Sequence, residues 1–214
     1  MREYKSNIPF PKNIRVILWD FDGVIMDSMP VRDKGFEIVL SNHSREEIDL
    51  LLNFHRENGG LSRYVKFRYF FEEIKKERVS EDEVNTYAQK FSVVMLENLI
   101  DQQLLISEAV SFIRMNYEKF NMHIVSGSDQ KELRHICKEL DIYQFFHSIN
   151  GSPTPKKKLV QNLLQENNYK PEETILIGDS INDYEAAIEN NIGFWGYNNP
   201  SLKQVAANYI QQFE

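Results

Sequence analysis

From Ser107 onward the sequence alternates between two textures at short, regular intervals. "SEAVSFIRMNYEKF" carries apolar residues at helical spacing, "MHIVSG" is a short apolar run, "DQKELRHICKELDI" is helical again, and "FFHSI" reads as a strand. "KKKLVQNLLQENN" then reads as a helix, "TILIGD" as a strand, "NDYEAAIENN" as a helix and "IGFWGY" as a strand. Neighbouring parallel strands cannot be joined by tight turns; they need crossovers of about a dozen residues or more, usually helices. The alternation therefore predicts an α/β fold, a Rossmann-like doubly wound parallel sheet with helices on both faces. Ile14 to Trp19 reads as one more buried strand of the same sheet.

Between that strand and the alternating region the texture is helical throughout, from about Met29 to Glu97. "SREEIDLLLNFHREN" opens on Ser44 with Glu47 three residues later, and "SEDEVNTYAQKFSVVMLENL" opens on Ser80 with Glu83 in the same relation. Both are capping-box patterns. Gly59-Gly60 separates the first of these helices from "LSRYVKFRYFFEEIKKER", which reads as another. The expected organisation is a discontinuous core, residues 1–26 plus 102–214, interrupted by an all-helical domain over 27–101.

Charge and composition bound the function. The net charge of -7 over 214 residues predicts no nucleic-acid partner and no attraction to an anionic membrane. An anionic substrate then requires a local cationic pocket. Cys137 is the sole cysteine, so no internal disulfide forms, which fits a reducing compartment. "MREYKSNIPFPKN" lacks the apolar core of a signal peptide, and no stretch approaches the roughly 20 apolar residues of a membrane span. The expectation is a soluble cytoplasmic protein.

Four features fall at the ends of expected strands or the start of the helix that follows. They are Asp20 and Asp22 in "WDFDG", Ser126 in "IVSGSD", the lysines of "TPKKKL", and Asp179 and Asp183 in "GDSIND". Open α/β sheets bind ligands at the carboxyl ends of their strands, so these segments are expected to share one crevice. Two unit charges about 4 Å apart repel by about 4 kcal/mol at an effective dielectric near 20. Several such pairs weigh heavily against a total stability of roughly 5–15 kcal/mol. Either protons are taken up or a divalent cation sits among the carboxylates. An all-oxygen donor set suits Mg²⁺ before Zn²⁺. A hydroxyl and a lysine beside it are phosphate-handling groups, and the set points to phosphoryl transfer.

"DFDGVIMDS", Ser126 after a strand, a lysine opening a helix and "GDSIND", in that order, resemble the four motifs of the haloacid dehalogenase superfamily. The match is to its phosphatase type, which includes phosphoglycolate phosphatases and β-phosphoglucomutases, and the helical insertion resembles that family's cap. The resemblance implies that Asp20 is the nucleophile that becomes an aspartyl phosphate. It implies that Asp22 is the general acid/base, with its backbone carbonyl a metal ligand. Asp20, Asp179 and Asp183 would then hold Mg²⁺, and Ser126, Gly127 and a lysine the transferring phosphoryl group. Lys156 follows Pro155 and is favoured for that role, ahead of Lys157 and then Lys158. Asp22 is expected to be protonated in the first step, with crowding by neighbouring carboxylates raising its pKa. An acid/base aspartate distinguishes this sequence from the dehalogenases. Val24 departs from the threonine usual in the phosphatase motif. The implied activity is Mg²⁺-dependent hydrolysis of a small phosphorylated metabolite; a sugar-phosphate mutase shares every core residue, and a non-catalytic phosphate binder is a third reading.

Other residues carry weaker signals. Asp27 is expected at the hinge into the insertion. The five histidines lack metal-ligand spacing, and Cys137 reads as a small buried residue. Around Gly59-Gly60, Arg56, Arg63, Lys66 and Arg68 form either a solvated basic face or a loop that closes over the core, with Arg56 or Arg63 reading a carboxylate or second phosphate on the substrate.

Overall fold

Strand β1 (Val16–Trp19) is buried along its whole length, as its unbroken apolar run requires of a strand covered on both faces. The computed structural model describes residues 10–213, so the first nine, expected as part of the core segment, lie outside the described residues. β1 pairs in parallel with β2 (Asn121–Asp129) on one side and β4 (Thr174–Gly178) on the other. With β3 (Ser148–Ser152), β5 (Gly193–Tyr197) and β6 (Asn208–Ile210) the sheet has the order β3-β2-β1-β4-β5-β6. All its pairings are parallel. The order reverses direction at β1 and β4, which is where an open α/β sheet leaves a crevice at its carboxyl edge.

Strand alternation sorts the core into two layers. Ile17 and Trp19 join the cluster containing Phe112 and Ile113 of α5 (Ser107–Asn116) and Leu133 and Ile136 of α6 (Gln130–Glu139). Val16 and Leu18 face the other way, into a cluster with Leu159, Val160 and Leu163 of α7 (Lys156–Glu166) and Ala186 and Ala187 of α8 (Ile181–Glu189). The doubly wound α/β architecture expected from the alternation is the one present.

The helical insertion comprises α1 (Met29–Val39), α2 (Arg45–Glu57), α3 (Arg63–Tyr69) and α4 (Glu81–Asn98). Both capping boxes form, at Ser44 with Glu47 and at Ser80 with Glu83. Aromatic rings fill its interior, with Phe36 packed against Phe67, Phe91 and His55. The chain leaves and re-enters the core side by side: Met26 bridges Leu105, and the Asp27 amide donates to the Leu104 carbonyl at 2.8 Å. The Asp27 side chain is exposed at this crossing.

Three expectations shift. The helix over "LSRYVKFRYFFEEIKKER" does not run through; after Tyr69 it widens into a π-helical turn, Phe70–Ile74, that buries Phe70 and Phe71 side by side. The strand read at "FFHSI" begins later, at Ser148, because Tyr143–Phe145 form a 3-10 turn whose Phe145 packs on Tyr117. β6 is only three residues long, too short for any periodicity to mark it. Leu18 is fully buried in the second layer. Leu18→Ala is expected to lower stability by about 2–5 kcal/mol, the usual range for truncating a buried leucine, as read by urea unfolding.

Candidate active site

The carboxyl ends of β1 and β4 deliver Asp20 and Asp179 to the same edge. Behind β1 the chain turns at Gly23, whose φ of +76° is readily adopted only by glycine. The turn passes so close to Asp179 that a Cβ on Gly23 would lie 2.0 Å from its Oδ2. Asn198 and Asn199 fasten the two loops from β5's end, donating to the carbonyls of Gly23 and Asp179 at 2.9 and 2.7 Å. Asp183 is placed by helix α8: its carboxylate caps the helix through the Ser180 amide and hydroxyl, at 3.0 and 2.6 Å. One oxygen from each of Asp20, Asp179 and Asp183 lies within 4.8 Å of the others.

Lys156 enters this cluster from the first turn of α7. It is buried, its Nζ lies 2.8 Å from Asp20 Oδ1, and it also contacts Asp183. Lys157 instead reaches Glu189 on the exposed surface, and Lys158 donates to Gln161. Of the three candidate lysines, only Lys156 meets the carboxylates. One cation does not balance three anions, and the remainder appears in the titration of the acids. Burial and the neighbouring Asp183 push Asp20 up to about 7, against the pull of Lys156. Burial, Asp20 and Asp183 hold Asp179 well above the usual carboxylate range. Carboxylate oxygens that close together, only partly neutralised by Lys156 and grouped with no histidine or cysteine among the described residues, fit a hard divalent cation.

Asp22 corrects an expectation. Crowding by carboxylates does not keep it protonated. Burial pushes its pKa up, but Arg32, Ser128 and Ser28 outweigh that and hold it below the ordinary value. Arg32 Nε donates to Asp22 Oδ1 at 2.6 Å, Ser128 Oγ to Oδ2 at 2.6 Å, and Ser28 Oγ to Oδ1. The carboxylate is thus held between the start of helix α1 of the insertion, through Ser28 and Arg32, and the end of β2 of the core, through Ser128. Ser126 is fully buried next to this group, its Oγ accepting from the Ser128 amide at 3.1 Å. Gly127 lies against the insertion, where a Cβ would stand 2.4 Å from the Gly60 carbonyl oxygen. The Gly59-Gly60 turn thus rests directly on the carboxyl edge of the sheet.

The basic residues around that turn divide. Arg56 is exposed and pairs with Asp33 at 2.8 Å, while also lining an open cleft of about 440 Å³ shared with Asp22, Asp179 and Ser180. Arg63 is neither solvated nor free to read a substrate: it is buried and bound through both Nη atoms to Glu132, at 2.6 Å each. It also donates to Ser92 at 2.7 Å and lies over the Phe91 ring. Because Glu132 belongs to α6, this pair ties the insertion to the core, and Tyr64 adds a second tie to Asp129 at 3.0 Å. Lys66 is also buried, which rules out the solvated face for it; Arg68 bridges Glu72 and Glu81 on the surface. Arg32, Ser28 and Ser128, which bind Asp22, and Glu132, which lies beside Arg32 and Arg63, belong to the candidate site and were missed by sequence reasoning. The one available signal was an arginine twelve residues after Asp20, on a helix entering straight from the motif.

A model of the haloacid dehalogenase-like hydrolase family matches residues 17–197. A phosphoglycolate phosphatase of Aquifex aeolicus is 25% identical over 200 residues, covering 86% of each chain. A β-phosphoglucomutase from Clostridium difficile superposes with a TM-score of 0.76 at 15% identity, covering 93% of this chain and 91% of that one. A HAD-hydrolase from Bacillus subtilis, solved bound to magnesium, superposes with a TM-score of 0.69 at 18% identity, covering 93% and 95%. The described residues include no helix long and apolar enough to cross a membrane.

The raised acids set a pH dependence. A carboxyl whose pKa rises on folding, as Asp20 does from 3.8 to about 7, stabilises below its unfolded value, and that contribution is lost as pH rises through the folded one. In protein stripped of divalent ions by a chelator, the melting temperature of Asp20→Asn is expected to gain on that of the wild type as pH rises from 4 toward 7, a comparison in which the opposite contributions of buried His55 and His123 cancel. Added Mg²⁺ is expected to raise the wild-type value more at pH 7.5 than at pH 5, by differential scanning fluorimetry.

Proposed function

The chain belongs to the haloacid dehalogenase-like hydrolase family, and from that premise we propose that it is a Mg²⁺-dependent phosphatase acting on a small phosphorylated metabolite through an aspartyl-phosphate intermediate. The observation that supports this most strongly is the pairing of Asp20 with Lys156 at the mouth of the acidic cluster. A carboxylate beside a buried ammonium and a metal-binding edge can approach a phosphoryl dianion without facing its full negative charge.

In this reading the Asp20 oxygen attacks phosphorus, and the bond from phosphorus to the leaving oxygen breaks. Asp22 gives a proton to that oxygen. In the second step Asp22 takes a proton from water, the water oxygen attacks phosphorus, and the P–O bond to Asp20 breaks. Phosphate leaves and Asp20 returns as a carboxylate. The arrangement described here, with Asp22 held as the anion by Arg32, suits the second step; donation in the first requires that the Arg32 contact be loosened. Lys156, the Ser126 hydroxyl and the Gly127 amide would hold the equatorial phosphoryl oxygens. Asp20, Asp179, Asp183 and the Asp22 carbonyl would hold Mg²⁺, which when bound neutralises charge developing on the phosphoryl group. The insertion, resting on Gly127 through Gly60, keeps bulk water from the acyl phosphate.

Hydrolysis of p-nitrophenyl phosphate, followed by release of the phenolate, tests the reading. Asp20→Asn is expected to cost about 1,000-fold or more in kcat while the circular dichroism spectrum is unchanged; retained activity in that variant overturns the nucleophile. Lys156→Ala is expected to lose far more activity than Lys157→Ala, whose side chain stands on the surface. Equal losses would remove Lys156 from the role.

A further inference from the structure

Beside Asp22, where the insertion meets the core, a narrow pocket of about 20 Å³ remains. Asp22 and Gly127 both line it, so a molecule there meets the acid/base and the loop proposed to hold the phosphoryl group at once. The open cleft of about 440 Å³ reaches Asp22 and Asp179, but its lining includes neither Gly127 nor Lys156. A pocket of about 20 Å³ has room for about one water molecule. The polar groups around it suit that occupant. Arg32 Nη2 is buried without a hydrogen-bond partner among the described residues, and Lys66 Nζ has one, the Gly59 carbonyl at 3.2 Å. His55 is buried with neither ring nitrogen hydrogen-bonded. Burial and the neighbouring Lys66 and Arg32 bring His55 down to about 2, so the ring is neutral and one of its nitrogens is an acceptor. Two cationic donors, a neutral nitrogen and the Asp22 carboxylate supply the two to four partners that a buried water uses.

The seat of the insertion sets the size of this pocket. Arg63 lines it and is bound through both Nη atoms to Glu132 of α6, while Tyr64 donates to Asp129. The Gly60 carbonyl rests against Gly127. A close-packed boundary of this kind does not stretch to admit another carbon. An alcohol oxygen brings its carbon with it, so it reaches Asp22 from this side only when the insertion lifts. We infer that the seated insertion selects the phosphoryl acceptor: Arg32, Lys66 and His55 hold one water beside Asp22, and the Arg63–Glu132 tie leaves an alcohol no room there, so the aspartyl phosphate is resolved by hydrolysis and not by transfer to a second hydroxyl. The inference rests on the phosphatase reading above. In the step concerned, the water oxygen bonds to phosphorus, its proton passes to Asp22, and the bond from phosphorus to Asp20 breaks. The substrate's own leaving oxygen carries a carbon too, so the first step takes place with the insertion lifted. The seated position is that of the second step, where Asp22 is needed as the anion that Arg32 holds. Hydrolase and mutase thus differ here by the space beside a shared carboxylate, and Arg32, Lys66 and Arg63 are positioning residues for that choice.

Partitioning of the intermediate tests this. Wild-type protein with Mg²⁺ turns over p-nitrophenyl phosphate in the presence of methanol or ethylene glycol, and initial release of phenolate is compared with that of orthophosphate. Any excess of phenolate is transfer to the alcohol, which phosphorus NMR identifies as the alkyl phosphate. Excluding a single carbon by packing is worth roughly 10- to 200-fold, so methanol is expected to capture the wild-type intermediate at least about ten times less well per mole than water does. Lys66→Ala, which widens the pocket, and Arg63→Met, which unties the insertion, are each expected to raise capture about 10-fold or more. Lys66→Met keeps the bulk and loses the donor; it is expected to slow hydrolysis while alcohols stay excluded. Capture of the wild-type intermediate by methanol as readily as by water overturns the inference, as does an unchanged partition in both widening variants. A second measurement needs no turnover and no variant. In a crystal structure of the wild type with Mg²⁺ and beryllium fluoride, a mimic of the aspartyl phosphate, the insertion is expected to be seated. A water is expected within hydrogen-bond reach of Asp22 and of Arg32 Nη2 or Lys66 Nζ. A lifted insertion, or no water at that place, overturns the inference. Absence of any phosphate ester hydrolysis is instead the failure of the phosphatase reading, whereas hydrolysis with free competition by alcohols removes the acceptor selection alone.

Discussion

Repulsion among Asp20, Asp179 and Asp183 is the constraint on which the rest of the structure turns. Backbone that cannot move apart holds them: Asp20 at the end of the central strand, Asp179 pressed against the Gly23 turn, Asp183 locked into the cap of α8. At an effective dielectric near 20, each such pair about 4 Å apart opposes folding by about 4 kcal/mol. The surroundings answer this in several ways at once. Helix α7 begins where its first lysine can be buried among the acids, and Asp20 and Asp179 retain protons above the usual range. The oxygens also converge as a hard cation requires. On a protein of net charge -7 an anionic group is accommodated only where cations are gathered locally, as Lys156 is among these acids.

Across Asp22 the sign reverses. Behind it the insertion and α6 enclose arginines and a lysine that outnumber their carboxylates. The molecule thus sets an acidic pocket and a basic pocket on either side of one carboxylate. Glu132 and Arg63 keep the two layers in contact, since a bidentate buried pair is lost at a cost of several kcal/mol when one partner is exposed alone. Position of the insertion and electrostatics of the site are therefore one property.

Much of this was legible in the residues. The alternation after Ser107 gives the parallel sheet because the period of each segment leaves little choice of element, and Ser44 and Ser80 mark helix starts by local chemistry alone. Asp20, Asp179, Asp183 and Lys156 meet because strand ends and a helix start share an edge in this topology. The environment of Asp22 was not legible. Its proton affinity depends on Arg32, Ser28 and Ser128, and which side chain turns toward it is set by packing between layers. Arg63 was misjudged for the same reason: its partner, Glu132, lies far along the chain on another helix, and no spacing rule couples them. Charge in a sequence announces exposure by default, and only tertiary structure reveals the exceptions.

The central place of β1 has a consequence for how the chain is made. Val16 lies beside Thr174, so the first strand formed waits for one of the last to complete its pairing. Contacts of such separation form late, after shorter loops have closed. Until β4 docks, Asp20 has neither Asp179 nor Asp183 beside it, and the three-carboxylate cluster is incomplete. In a nascent or partly unfolded chain the three carboxylates are therefore not yet gathered, and their convergence is a property of the finished sheet alone.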